Sequence, residues 1–275
     1  MSSPPLILGD DFLALLHRHF INLMCLDSGA EARLKNKGKP AFYNFSAFIV
    51  EINSRWFAIT AGHIFDTLKK AQANGANISR WHIDDSIVSS KPEHPYPITI
   101  DIDRDVIWFS DNVPGVDYAC FELGELTRQA LLGQGIQAIS SEVWAANDIS
   151  EYSLWLLVGT PKCLVNFDFD RPTVKHHATI RLERVNSIPT GFTHTEYQRL
   201  YACLDFSSIK GIGNSFDIDG MSGGPIFGLK PSTSSNQYEY RIIGVQSSCT
   251  ADHVAICAAA PFIEAIAQCV GNGAR

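Results

Sequence analysis

Short apolar runs, each cut off by turn residues, dominate this sequence and limit the folds open to it. FSAFIVEI (45–52), RWFAITA (55–61), YPITIDI (96–102), DVIWFS (105–110) and DYACFEL (117–123) make a first set. YSLWLLVG (152–159), CLVNFDF (163–169), HATIRLERV (177–185), RLYACLDF (199–206), YRIIGVQSS (240–248) and HVAICAAA (253–260) make a second. They are rich in β-branched and aromatic residues and separated by Gly, Pro, Asn and Asp, the pattern of strands joined by turns. Helical patterns do not alternate with them, so an all-β fold with two groups of about six strands is predicted.

Helices are few. Asp10 or Asp11 caps an amphipathic arm whose apolar positions Phe12, Leu15, Leu16, Phe20 and Leu23 fall three and four apart. Further helices are predicted from Ile64 to Ala73, within 126–138, and from Pro261 to Val270. The domain reading follows: a helical arm and polar linker over 1–40, a first β unit over 41–125, a connection over 126–150, and a second β unit with a terminal helix over 151–275.

The chain has 275 residues, 45% of them apolar, enough for a substantial core. With 22 basic and 29 acidic side chains its net charge is −7, which disfavours nucleic acid and anionic membrane as partners. The basic run RLKNKGKP, with Arg33, Lys35, Lys37 and Lys39, reads as a solvated loop. The first residues lack an early Lys or Arg, and no apolar stretch approaches the roughly 18 residues of a membrane span. Seven scattered cysteines fit free thiols in a reducing compartment, so a cytoplasmic location is expected. Cys249, His253 and Cys257 share spacing and parity but lack a fourth zinc ligand, and read as structural. His176 and His177 read as a strand surface feature, and the sequons at Asn44 and Asn77 carry no meaning without secretion.

Three segments carry chemistry. In WFAITAGHIF, His63 follows an apolar strand and precedes a short helix. In GVDYACFEL, Asp117 stands at the mouth of another strand. In DIDGMSGGPIFG (217–228), four glycines and a proline surround Ser222. Each alone has a structural reading: a satisfied histidine, a solvated carboxylate, a flexible turn. In this order, with two before the predicted connection and one after it, they place a base and an acid on the first unit and a nucleophile on the second.

TAGH, DYACFEL and GMSGGP resemble the three signature segments of the chymotrypsin/trypsin-like serine peptidases, over roughly residues 43–265. The resemblance implies two perpendicular six-stranded Greek-key β-barrels with a site between them, acting on a protein or peptide. It also implies roles. His63 takes the proton of the Ser222 hydroxyl during attack on a carbonyl, Asp117 orients the imidazole, and the Gly220 and Ser222 N–H groups bind the oxyanion. No metal or cofactor is called for.

Gly220-Met221-Ser222-Gly223-Gly224 also satisfies the nucleophile elbow of α/β-hydrolases, but Pro225 sits badly in the helix which that fold needs next. Departures from the resembling family matter too. Met221 stands where many secreted members carry the aspartate that pairs with a new amino terminus, and no cysteine stands beside His63. Bacterial and intracellular trypsin-like peptidases are the nearer analogues. Control then falls to substrate, expression or a regulatory protein partner, with the amino-terminal arm as a docking element. In the resembling family the residue six before the nucleophile lines the floor of the primary pocket; here that is Phe216, which disfavours cleavage after Lys or Arg, whereas a one-residue loop shift puts Asp217 there and reverses the preference. Gln246, Ser247 and Ser248 are assigned to a wall that pairs with peptide backbone, and His253 to a structural role. The competing function is a protease-like module that binds peptides or proteins without turnover.

Overall fold

The computed structural model describes residues 10–84, 96–111, 115–144, 149–168, 171–174, 177–208, 217–232 and 238–271. The protein is mostly β. Phe20–Asp27 (β1), Ala41–Ile52 (β2), Arg55–Thr60 (β3), Ile78–Asp84 (β4), Tyr96–Pro97 (β5), Val106–Asp111 (β6) and Val116–Leu123 (β7) form one antiparallel sheet, in the order β5-β4-β1-β2-β3-β7-β6. A two-stranded hairpin, Val165–Asp168 (β9) with Arg171–Val174 (β10), stands apart. Leu154–Gly159 (β8), Ala178–Val185 (β11), Leu200–Asp205 (β12), Pro225–Pro231 (β13), Tyr238–Cys249 (β14) and His253–Ala258 (β15) close into a six-stranded barrel, ordered β11-β12-β15-β14-β13-β8. The helices are Asp10–His17 (α1), Ala30–Lys35 (α2), Gly62–Ala73 (α3), Ile102–Asp105 (α4), Glu125–Gly133 (α5) and Ala259–Gly271 (α6). Among the described residues no helix is long and apolar enough to cross a membrane.

Many strands are apolar throughout rather than alternating because both their faces are covered. In β8, Trp155 and Leu157 point into the barrel core, while Leu154, Leu156 and Val158 join a second cluster outside it. That second cluster takes Phe48, Val50 and Ile52 of β2 and Phe57 and Ile59 of β3 from the sheet, with Phe262 and Ile263 of α6. The opposite side chains of the same sheet strands, Ala47, Ile49, Trp56 and Ala58, enter a third cluster with Ile64, Phe65 and Leu68 of α3. The middle cluster is therefore a core shared by sheet and barrel, and it fixes how the two meet.

The structure corrects the sequence reading in three places. The amphipathic arm ends at His17, and Phe20 and Leu23 belong to β1, which pairs with β2 along its whole length from Phe20↔Phe48 to Asp27↔Ala41. A strand buried on both faces has no period of two, so periodicity alone cannot tell it from a helix. The described part of the arm packs on the barrel. The Phe12 ring meets Tyr238 and Tyr240 edge-on, and His17 Nε2 lies 2.9 Å from Thr179 Oγ1 on the barrel. The first β unit, expected as a six-stranded barrel, is a sheet of seven strands that no ladder closes among the described residues. The barrel has its six strands, but CLVNFDF contributes only to the side hairpin, and PIFGLKP (β13) takes its place. Pro225 disguises β13, yet at the first position of a strand its missing N–H costs little.

Candidate active site

His63 is placed by the junction of β3 and α3. A Cβ at Gly62 would stand 2.1 Å from Phe109 O and 2.8 Å from Tyr118 O, so only glycine lets α3 begin this close to β6 and β7. Asp117 lies on β7, opposite Ser110. The first N–H groups of a helix lack internal partners, and here the His63 N–H donates to Asp117 Oδ1 at 2.8 Å. His63 Nδ1 meets the other oxygen, Oδ2, also at 2.8 Å. The Ser247 hydroxyl donates to that same Oδ2. The imidazole is 38% exposed and the carboxylate 6%, so the carboxylate is enclosed while the imidazole is open to solvent. Burial alone would raise the Asp117 pKa, but the hydrogen bonds and charge of His63, with the Ser247 hydrogen bond, hold it below the ordinary carboxylate value.

Tyr118 anchors the next position of β7. Its hydroxyl donates to Ala258 O at 2.6 Å and its ring stacks on Phe262, which pins β7 to the end of β15 and to α6. Cys257 and Arg199 both donate to the carbonyl of Gly115, two residues before the acid.

Ser222 sits in the loop ahead of β13, and that loop is held through its main chain. Asp219 N–H donates to Asp217 Oδ1, Met221 N–H to Ile218 O, Gly223 N–H to Gln246 O and Gly224 N–H to Met221 O, each at 2.9 Å. Among the described residues, the intervening N–H groups of Gly220 and Ser222 have no partner. Met221 is fully buried, and its side chain fills the space a Cβ at Gly159 would need. Gly223, at φ +85°, is packed so closely that a Cβ would lie 1.9 Å from Thr60 Oγ1 and 2.4 Å from Ser46 O. The loop thus closes onto the end of β3, three residues before His63. Among the described residues no hydrogen bond joins the Ser222 hydroxyl to His63.

The predicted peptide-binding wall divides. Gln246 is buried, its N–H donates to Gly224 O and its C=O accepts from Gly223, so its main chain serves the Ser222 loop rather than a peptide. A register shift between Gln246 and Ser248 makes Ser247 a bulge residue, and the bulge aims its hydroxyl inward at Asp117. Ser248 alone of the three is partly exposed. Phe216 lies outside the described residues. Cys249 is exposed and Cys257 buried, His253 pairs with Asp252 at 2.8 Å, and among the described residues no His, Cys, Asp and Glu group is arranged to hold a metal ion. His176 lies outside the described residues, and His177 is half-buried and held inward: its Nδ1 lies 2.7 Å from Thr160 Oγ1 and its ring packs on Phe20 and His17. Sequence reasoning missed Ser46 and Thr60, two fully buried hydroxyls beside the loop. Their signal was a lone polar residue inside an apolar strand.

No family model matches the chain, and no curated protein matches it in sequence. Among solved structures it is similar to the protease Anisep from Arthrobacter nicotinovorans, with 12% identity over 88% of this chain and 90% of that one and a TM-score of 0.46. It is also similar to the thermostable serine protease AL20 from an extremophilic microorganism, with 13% identity over 87% and 90% and a TM-score of 0.44. An inactive mutant of the murine norovirus NS6 protease gives 11% identity over 78% and 85% and a TM-score of 0.37.

Proposed function

We propose that this protein is a serine endopeptidase working through an acyl-enzyme. The observation that carries this reading is the grip on Asp117: one enclosed carboxylate accepts the His63 N–H, the His63 imidazole and the Ser247 hydroxyl. A carboxylate held this way keeps Nδ1 protonated and leaves Nε2 as the basic atom. Nε2 would accept the proton as Ser222 Oγ adds to a peptide carbonyl, then return it to the leaving amine as the carbon–nitrogen bond breaks. Water would repeat the cycle on the ester and release Ser222. The Gly220 and Ser222 N–H groups, free of internal partners, support a role as donors to the oxyanion. Seven unpaired cysteines support a reducing, cytoplasmic setting.

One observation favours a second reading, a gated or silent peptide-binding module: the Ser222 hydroxyl is not bonded to His63. Such bonds are often long in unliganded enzymes and tighten on binding substrate. A fluorophosphonate probe, run beside Ser222→Ala and followed by an assay on a denatured protein, separates the two. The peptidase reading expects labelling and proteolysis that both vanish in Ser222→Ala. Labelling that survives the substitution overturns the assignment of Ser222, and labelling without proteolysis favours the gated module.

A further inference from the structure

We propose that Ser46 is a positioning residue that sets the peptide planes of the Ser222 loop, an inference that rests on the serine-peptidase reading. Ser46 belongs to the sheet, on β2, and is fully buried. Its Oγ accepts the Thr160 N–H at 3.1 Å and donates to the Gly220 carbonyl at 3.0 Å. Its backbone N–H donates to the Ser222 carbonyl at 3.2 Å, and its own carbonyl accepts the Thr60 hydroxyl at 2.8 Å. One residue of the sheet therefore holds the carbonyls on both sides of Met221 and, through Thr160, the end of β8.

A peptide unit is planar, so fixing its carbonyl also fixes the direction of its N–H. The carbonyls of residues 219 to 222 are each held: Asp219 by Lys162 N–H at 2.7 Å, Gly220 by Ser46 Oγ, Met221 by Gly224 N–H at 2.9 Å, and Ser222 by Ser46 N–H. The Gly220 N–H shares its plane with the Asp219 carbonyl and the Ser222 N–H with the Met221 carbonyl, so the Ser46 hydroxyl holds the plane between the two donors and sets their angle to each other. Gly220 is at φ +94° and has no Cβ to resist rotation, so its flanking planes turn cheaply unless something outside the loop restrains them. The Ser46 hydroxyl is that restraint, and it needs no charge. Buried Met221 plugs the loop from the barrel side, so an apolar contact and a hydroxyl preset a cradle with no ion pair at residue 221.

Ser46→Ala tests the assignment, with Thr60→Val as comparator, since Thr60→Val removes an equally buried hydroxyl bond on the same strands without touching Gly220. In Ser46→Ala, kcat on a peptide ester falls about 10- to 100-fold while KM stays within about 2-fold, as expected when only transition-state contacts loosen. Affinity for a peptide aldehyde falls by the same factor as kcat, whereas Thr60→Val keeps both near wild type. An unchanged kcat in folded Ser46→Ala overturns the proposal, and so does an equal loss in the two variants that tracks their melting temperatures. Should Ser46→Ala fail to fold, Ser46→Cys fills the same space with a poorer donor, and an unchanged kcat there overturns it equally. If the wild-type chain neither labels nor turns over, the peptidase reading fails by itself. The clamp is then read from amide exchange at residues 219–222, which must quicken in Ser46→Ala more than in Thr60→Val, and equal exchange overturns it.

Discussion

The sheet and the barrel contribute to the candidate site in opposite ways. The sheet brings titratable side chains, His63 and Asp117, and orients them through side-chain hydrogen bonds. The barrel brings a stretch of main chain around Ser222 whose shape depends on glycine torsions and carbonyl partners. Among the described residues the sheet ends at β6, where Ile107 and Phe109 are 60% and 52% exposed, while the barrel's ladder closes on itself. The difference separates two kinds of fragility. Chemistry on the sheet side can be removed by changing one atom with the fold intact, whereas the loop on the barrel side is disturbed chiefly by changing its backbone or the space it fills.

The sharpest test of that division is Ser222→Ala, for which turnover should fall about 10⁶-fold with the melting temperature unchanged. A comparable loss of stability would show that the loop depends on the hydroxyl as well as on its backbone. Asp117→Asn comes next: the fold persists, the tautomer of His63 is no longer imposed, and kcat measured with an active ester falls about 10⁴-fold. On the barrel side, Gly223→Ala drives a Cβ to within 1.9 Å of Thr60 Oγ1 at a positive φ, and should cost about 3 kcal/mol or more in thermal unfolding. Gly133→Ala is the control, because a Cβ there meets nothing within 4 Å. The smallest effect concerns the seam between the two halves.

Burial against the barrel lowers the His17 pKa from 6.5 to about 4. The unfolded chain therefore binds a proton near pH 6.5 that the folded chain refuses until about pH 4. The stability contributed by neutral His17 is complete above pH 6.5 and is lost as pH falls toward 4, by at most about 3 kcal/mol. His17→Gln should flatten that limb of a plot of melting temperature against pH by up to one proton, leaving the part due to buried His19, whose pKa is also lowered, chiefly by burial.

Much of the site is legible along the chain because its signals are local. A glycine before the helix of His63, an aspartate at the mouth of an apolar strand and a glycine cluster around Ser222 are each a matter of a few adjacent residues. The six-strand barrel is legible for the same reason, apart from β13, where a leading proline and an internal glycine mask the strand. Ser247 was recognised as a position but not for its task, since only the bulge at that point turns its hydroxyl away from a bound peptide and onto Asp117.

By itself the sequence determined the mostly β character, the order of the three segments and the backbone freedom at Gly220 and Gly223. Tertiary structure alone decided that 20–27 is a central strand, that the described strands of the first unit form a seven-stranded sheet, and that Ser46 reaches Gly220 across 174 residues and Ser247 reaches Asp117 across 130. Turn geometry and strand preference are set by near neighbours along the chain. Register, closure and the partner of a buried hydroxyl are set by which surfaces exclude water together, and that is fixed only when the sheet and barrel close on their common core.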